Sequence, residues 1–377
     1  MNKNLKNIAI NNPRTSYFIG GAEMVSIEHA KHLAILGFNV SFYTINPKSI
    51  NQKYSDQYIN FKNIYSDRVH FFELNQDSRA LPIYKVQPGE DRNRWNLEAL
   101  FYSRQLSAFL TSNSKHYDTL ISYFNLDAIS VNSDNVLCNA IYLCGVPRDE
   151  SVFRFGFLAM YDKVIAITDE TRAYWQKYTE KIIDVIPTGV DSVRFAPKTH
   201  LSKNVKVLFM GRLIERKGAH ILLSSISKLS QSVLNMTEVI VAGEGPQSQI
   251  LSRQIDILNL SKHVKLVGGV NNPEYYMSYA DICVLPSTGG DGLQGVILEA
   301  MASGAVVIAS KSPTNAELLA DGRGITIDPH DTEGLAVQLT QAINNPNSRL
   351  SIGERARLYV VDNYDWYKIV KKIIGVD

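Results

Sequence analysis

Long apolar runs are missing from this sequence: none reaches the roughly 18 to 20 residues that a membrane-spanning helix needs, so no helical passage through a bilayer is expected. Cysteine is scarce. Cys138, Cys144 and Cys283 are odd in number and lack metal-ligand spacing, which argues against a disulfide framework and for buried thiols in a reducing compartment. An excess of one charge is also lacking, with 39 Lys and Arg against 37 Asp and Glu interspersed along the chain and a net charge of only +2. That leaves no electrostatic footprint for nucleic acid, and no nucleic-acid partner is expected. Neither a short-period repeat nor a low-complexity tract interrupts the chain. The polar opening MNKNLKNIAI has no signal-peptide core, so the expected location is cytoplasmic. Membrane association is not indicated by any segment, though the sequence leaves it open.

What is present is material for two cores. A chain of 377 residues exceeds what one hydrophobic core usually serves. Short apolar runs such as NIAI (7–10), NVSFYT (39–44), TLISYF (119–124), NAIYLC (139–144) and KVIAIT (163–168) read as buried parallel strands. Helical patterns lie between them, as over residues 21–36, where Met24, Ile27, Ala30 and Ala34 share a face and Gly37 ends the segment. A second series follows: KVLFMG (206–211), EVIVAG (238–243), HVKLVGG (263–269), DICVLPS (281–287) and AVVIAS (305–310). The polar stretch 191–204, which carries Pro197, separates the two series and reads as the linker. The expected fold class is α/β, with two Rossmann-like domains facing each other across a cleft and ligands at the carboxyl ends of the strands.

Those carboxyl ends hold the informative residues. The loop after the first strand ends in IGGAE, with Gly20 and Gly21 just before a helix, where backbone N–H groups can approach a phosphate. A tight turn without a ligand would look the same, and the fuller dinucleotide pattern G-x-G-x-x-G is absent. In the second series the first strand ends in MGRLIERKG, placing Arg212 and Lys217 where two cations can neutralise a diphosphate. A solvated charged turn is the alternative, because Glu215 and Arg216 sit between them. Gly243 and Gly245 in VAGEGPQ read as a structural turn. The stretch STGGDGLQGVILEAMASG (287–304) sets Asp291 in a loop and Glu299 in the helix that follows. Val296, Ile297, Leu298, Ala300 and Met301 leave Glu299 no polar face, so its carboxylate calls for a partner, and a polyol such as a sugar or a ribose supplies one.

Taken together, GGAE, GRLIERKG, VAGEGP, LPSTGGDGLQGVILEAMASG, VIAIT and VIPTGVDSVRFAP resemble the retaining glycosyltransferases of family four, which have the GT-B fold. The resemblance runs over nearly the whole chain and is strongest from about Ile165 to Asp328; its most specific part is the family's E-x7-E signature, spelled here D-x7-E. It implies an N-terminal acceptor-binding domain over 1–190, joined by the C-terminal tail 362–377 crossing back, and a nucleotide-sugar-binding domain over 191–361. It further implies that Glu299 holds the ribose hydroxyls, Asp291 the donor sugar, and Arg212 and Lys217 the diphosphate, with Gly21 meeting the donor from the other domain. The base would lie against Val267 to Val270, so Gly268 and Val270 join Gly20, Gly211, Gly292, Leu293, Gln294 and Gly295 as donor-side candidates. Two departures matter. Asp291 is one methylene shorter than the family's Glu, and the family's histidine after the strand NAIYLC is replaced by Gly145 in LCGVPRDE. Asn125, Gly145 and Arg148 are the acceptor-side candidates, while His29 and His32 read as helix surface or packing residues.

The chemistry so implied is transfer of a hexose-type sugar, with retention, from a nucleoside diphosphate sugar. A UDP-sugar is favoured and GDP-mannose is kept open. The acceptor is a glycan, a lipid-linked glycan or a small metabolite. No cofactor and no metal are expected, since Arg212 and Lys217 take the metal's place, and Arg212, Lys217 and Asp291 are the catalytic candidates. A non-catalytic subunit that binds sugar nucleotides, and a GT-B enzyme of other chemistry such as an epimerase or phosphorylase, remain as alternatives.

Overall fold

A computed structural model describes residues 6–75, 92–123, 134–146, 157–198, 204–289 and 295–376, with side chains throughout except over 92–100. The chain divides into two compact units, residues 1–188 with 366–377 and residues 189–365. Among the described residues no helix is long and apolar enough to cross a membrane.

The first unit is built on a seven-stranded parallel sheet of β1 (Asn7–Asn11), β2 (Asn39–Ile45), β3 (Val69–Leu74), β4 (Thr119–Ser122), β5 (Asn139–Leu143), β6 (Lys163–Ala166) and β7 (Ile183–Val185), in the order β3-β2-β1-β4-β5-β6-β7. The inner strands are buried from end to end, as expected of a parallel sheet covered by helices on both faces. The helix α1 (Gly21–Ile35) buries Ile27, Ala30 and Ala34, but Glu23, Ser26, His29, His32 and Leu33 are buried as well. Met24 is only half-buried. The apolar stripe in the sequence therefore marks only one of two packed sides. The other receives the terminal helix Trp366–Ile374, against which His29 and His32 lie with ring centroids 5.3 and 5.4 Å from Trp366.

The second unit holds a six-stranded parallel sheet of β8 (Val205–Met210), β9 (Thr237–Ala242), β10 (Val264–Gly268), β11 (Ile282–Leu285), β12 (Val306–Ser310) and β13 (Ile325–Ile327), in the order β10-β9-β8-β11-β12-β13. Val207, Phe209, Val239, Val241, Ile282, Val284, Val306 and Ile308 share one face and close a single core with Leu222, Leu223, Leu335 and Leu339.

Each sheet reverses its strand order once, between β1 and β4 and between β8 and β11. Loops diverge at such a reversal and leave a crevice beyond the carboxyl ends of the two strands, which is where open parallel sheets bind ligands. In the first unit the reversal is pinned by Asn11 Nδ2 donating to Ser122 Oγ at 3.1 Å, both residues being buried.

Several expectations are revised. The polar stretch after residue 190 docks on the second unit over its described part: Phe195 is buried, its carbonyl accepts from Arg357 Nη1 at 3.1 Å, and Lys198 N donates to Ser278 O at 3.0 Å. The units divide between Thr188 and Gly189, two residues before the expected boundary at 190. Of the cysteines, Cys283 is buried, while Cys138 and Cys144 are half-buried as whole residues at the two ends of β5, with burial still the main cause that raises both thiols.

Candidate functional site

The crevice of the second sheet is assembled by backbone. Past β8 the chain runs through Gly211 and Arg212, where Gly211 N donates to Ala242 O at 3.0 Å and Leu213 N to Glu244 O at 2.8 Å, tying this loop to the one after β9. It then makes a single 3-10 turn, Glu215–Lys217, closed by Gly218 in the left-handed region at φ +75°. A Cβ at Gly218 would lie 2.0 Å from the Pro286 carbonyl oxygen, so only glycine lets the two backbones meet. Beside that contact Thr288 N donates to Arg216 O at 2.8 Å. The turn bearing Lys217 is thus fastened to the segment after β11, the one that leads toward Asp291 and Glu299.

Arg212 is exposed and Lys217 half-buried. The helix Gly295–Ala302 begins where the described residues resume after 289, and its Glu299 is half-buried among Ile297, Leu298, Ala300 and Met301. Glu299 bears on Cys283 of β11: burial, with the Glu299 carboxylate adding to it, pushes that thiol up to about 12, so it stays protonated and inert. Among the described residues, a Cβ at Gly295 would meet nothing within 4 Å. At the end of β10, Gly268 takes φ +71° with no described atom within 4 Å of where a side chain would start, its carbonyl accepts from Gly243 N at 2.7 Å, and Val270 is half-buried. Gly243 serves packing, since its Cβ would fall 1.8 Å from the Gly211 carbonyl oxygen.

In the first unit the corresponding crevice is bordered by the loop before α1. Gly20 N donates to Glu23 Oε2 at 3.0 Å, so the helix caps that donor with its own carboxylate. Gly21, next along, is exposed with open space beside it. Glu23 is a feature that the sequence signals only through its place three residues after Gly20. Its carboxylate also acts on Cys144, whose thiol burial already holds well above its ordinary range. Gly145 follows; its carbonyl accepts from Trp175 Nε1 at 3.0 Å, and among the described residues a Cβ there would meet nothing within 4 Å. His29 and His32 do not replace the histidine absent at Gly145, because both are packed on Trp366.

The structure therefore fastens the turn bearing Lys217 to the segment after β11, ties the Gly211–Arg212 stretch to the loop after β9, places Glu299 on the helix that follows β11, and sets Gly268 at the end of β10 with Val270 just beyond it. Asn125, Arg148, Asp291, Gly292, Leu293 and Gln294 lie outside the described residues.

Residues 193–359 match the family model described as glycosyl transferases group 1. The chain has the GT-B fold: it superposes on the Anabaena protein HepE in complex with UDP-glucose with a TM-score of 0.73 at 18% identity, covering 98% of both chains. Among curated relatives, a phosphatidyl-myo-inositol mannosyltransferase of Mycolicibacterium smegmatis is 30% identical over 237 residues, 60% of each chain. A GDP-mannose-dependent alpha-(1-6)-phosphatidylinositol monomannoside mannosyltransferase of the same organism is 28% identical over 203 residues, 49% of this chain and 53% of that protein. The match thus spans little more than half the length of these relatives. The group 1 region contains Arg212, Lys217, Asp291 and Glu299.

Proposed function

We propose that the chain is a retaining glycosyltransferase that takes a hexose-type sugar from a nucleoside diphosphate donor and forms an α-glycosidic bond. The observation that carries this reading is the fastening of the Glu215–Lys217 turn, which follows Arg212, to the segment after β11 at the strand-order reversal of the second sheet. In this reading Arg212 and Lys217 bind the diphosphate and stabilise the charge that grows on it as the sugar departs, which supplies the electrostatic part of catalysis with no metal ion. Glu299 accepts hydrogen bonds from the ribose, Asp291 from the sugar, and the Gly268–Val270 loop lies against the base. The acceptor, a glycan, a lipid-linked glycan or a small metabolite, binds the first unit and attacks from the face that the diphosphate leaves. The protein supplies orientation and no nucleophile of its own.

Two donors have support. HepE was crystallised with UDP-glucose, and one mannosyltransferase relative is GDP-mannose-dependent. A panel of UDP- and GDP-sugars offered with lipid-linked and free glycan acceptors, followed by mass spectrometry and proton NMR of the product, tests the proposal. An α-linked product from an α-configured donor, formed equally with and without a chelator, is expected. A β-linkage, or transfer abolished by the chelator, would contradict the mechanism; binding without turnover would favour a non-catalytic subunit, and an altered free sugar nucleotide an epimerase.

A further inference from the structure

The chain passes between the units twice, at 188/189 and at 365/366. On the second unit's side the two passages run together, because Val190 pairs with Asp365 in a parallel bridge and Val190 N donates to Tyr364 O at 2.8 Å. On the first unit's side each passage is held by an aromatic residue. Tyr142 OH donates to Ile186 O at 2.8 Å, two residues before the first passage, and Trp366 opens the helix that follows the second.

Both of these rings rest on one imidazole. His29 is fully buried, with its ring centroid 5.1 Å from that of Tyr142 and 5.3 Å from that of Trp366, each edge-on. Its Nδ1 shares a hydrogen bond of 2.5 Å with Tyr123 OH, at the end of β4 beside the reversal of the first sheet. Its Nε2 is buried without a hydrogen-bond partner among the described residues. An orphaned buried nitrogen costs on the order of 1–3 kcal/mol, so a residue that served only to fill space would be better apolar. What the imidazole adds is one ring edge bonded to Tyr123 while its faces and remaining edge seat Tyr142 and Trp366.

We infer that His29 is a positioning residue that holds both connecting segments where they leave the first unit and links them, through Tyr123, to the crevice after β4. Its consequence for turnover rests on the function proposed above: with donor and acceptor on different units, a change at both passages alters kcat and leaves nucleotide affinity in place.

Amide hydrogen exchange tests the inference without reference to activity. In His29→Phe, which keeps a ring and removes the Tyr123 bond, peptides covering 186–190 and 364–370 should both exchange faster, by about tenfold if one hydrogen bond's worth of protection is lost. Peptides from β8 and β9 should not change. Acceleration confined to 364–370 would show that His29 merely packs on Trp366, and no acceleration would show that it holds neither segment; either result overturns the inference. If the Phe variant loosens throughout, Tyr142→Phe removes the single bond to Ile186 O and should accelerate 186–190 alone; unchanged exchange there overturns the inference too. In transfer assays His29→Phe should lower kcat with the Kd for UDP or GDP unchanged, and His29→Asn, which restores a polar group at the Nδ1 position, should recover part of it. A wild-type protein that transfers no sugar but shows the exchange pattern would refute the proposed function and leave His29's role standing.

Discussion

Arg212 and Lys217 share one loop but not one setting: Arg212 is exposed while Lys217 is half-buried at the end of the turn that Gly218 closes. Under the proposed mechanism both meet charge that is larger in the transition state than in the bound donor, so either Ala variant should reduce turnover by about 100-fold or more. Circular dichroism and the denaturation midpoint should be unchanged; activity surviving in both variants would remove the diphosphate from this loop. His29 provides a second test at this scale. Burial, with His32 adding to it, lowers its pKa from 6.5 to about 3, so the folded protein keeps the ring neutral where the unfolded chain takes up a proton. The stability from this group is complete above about pH 6.5 and drains as pH falls toward 3, at up to about 1.4 kcal/mol per pH unit. Urea unfolding between pH 7 and pH 4 should show a steeper loss in wild type than in His29→Phe, and parallel losses would contradict the assignment.

Among the elements, the turn Glu215–Lys217 depends on a backbone contact that no side chain could share. Gly218→Ala would place a methyl 2.0 Å from Pro286 O in a left-handed conformation. The conformation alone costs roughly 1–2 kcal/mol, and relieving the clash must move the β8 loop away from the β11 segment, so stability and turnover should fall together. Gly295→Ala, with no described atom within 4 Å of its Cβ, should stay within about 0.5 kcal/mol of wild type in denaturant. The pair shows what could be read from the sequence and what could not. Strands such as 7–11, 39–45 and 306–310 were legible because a buried parallel strand is a short apolar run bounded by polar turns. The strands 69–74, 183–185 and 325–327 escaped, since they lie at sheet edges or are only three residues long, and each is only partly buried. Arg212, Lys217 and Glu299 stood out by residue type and neighbourhood. The contact of Gly218 with Pro286 could not, because it joins residues 68 positions apart that only the strand order brings together. His29 was legible only as a histidine on a helix; its burial follows from a terminal helix that returns from beyond the second unit.

At the scale of the whole molecule, the proposed function assigns the donor to the second unit and the acceptor to the first, and gives the two carboxylates that follow β11 in the sequence different parts of the donor. Glu299 is assigned to the ribose, remote from the bond that breaks, and Asp291 to the sugar. Calorimetric titration of bare UDP and GDP into wild type, Glu299→Ala and Asp291→Ala tests this most directly. Wild type should bind one of the two nucleotides, Glu299→Ala should bind it more weakly by about 1.5–3 kcal/mol, the loss expected when a charged hydrogen-bond acceptor is removed, and Asp291→Ala should bind it as wild type does. Equal losses in both variants, or no binding of either nucleotide by wild type, would contradict the account.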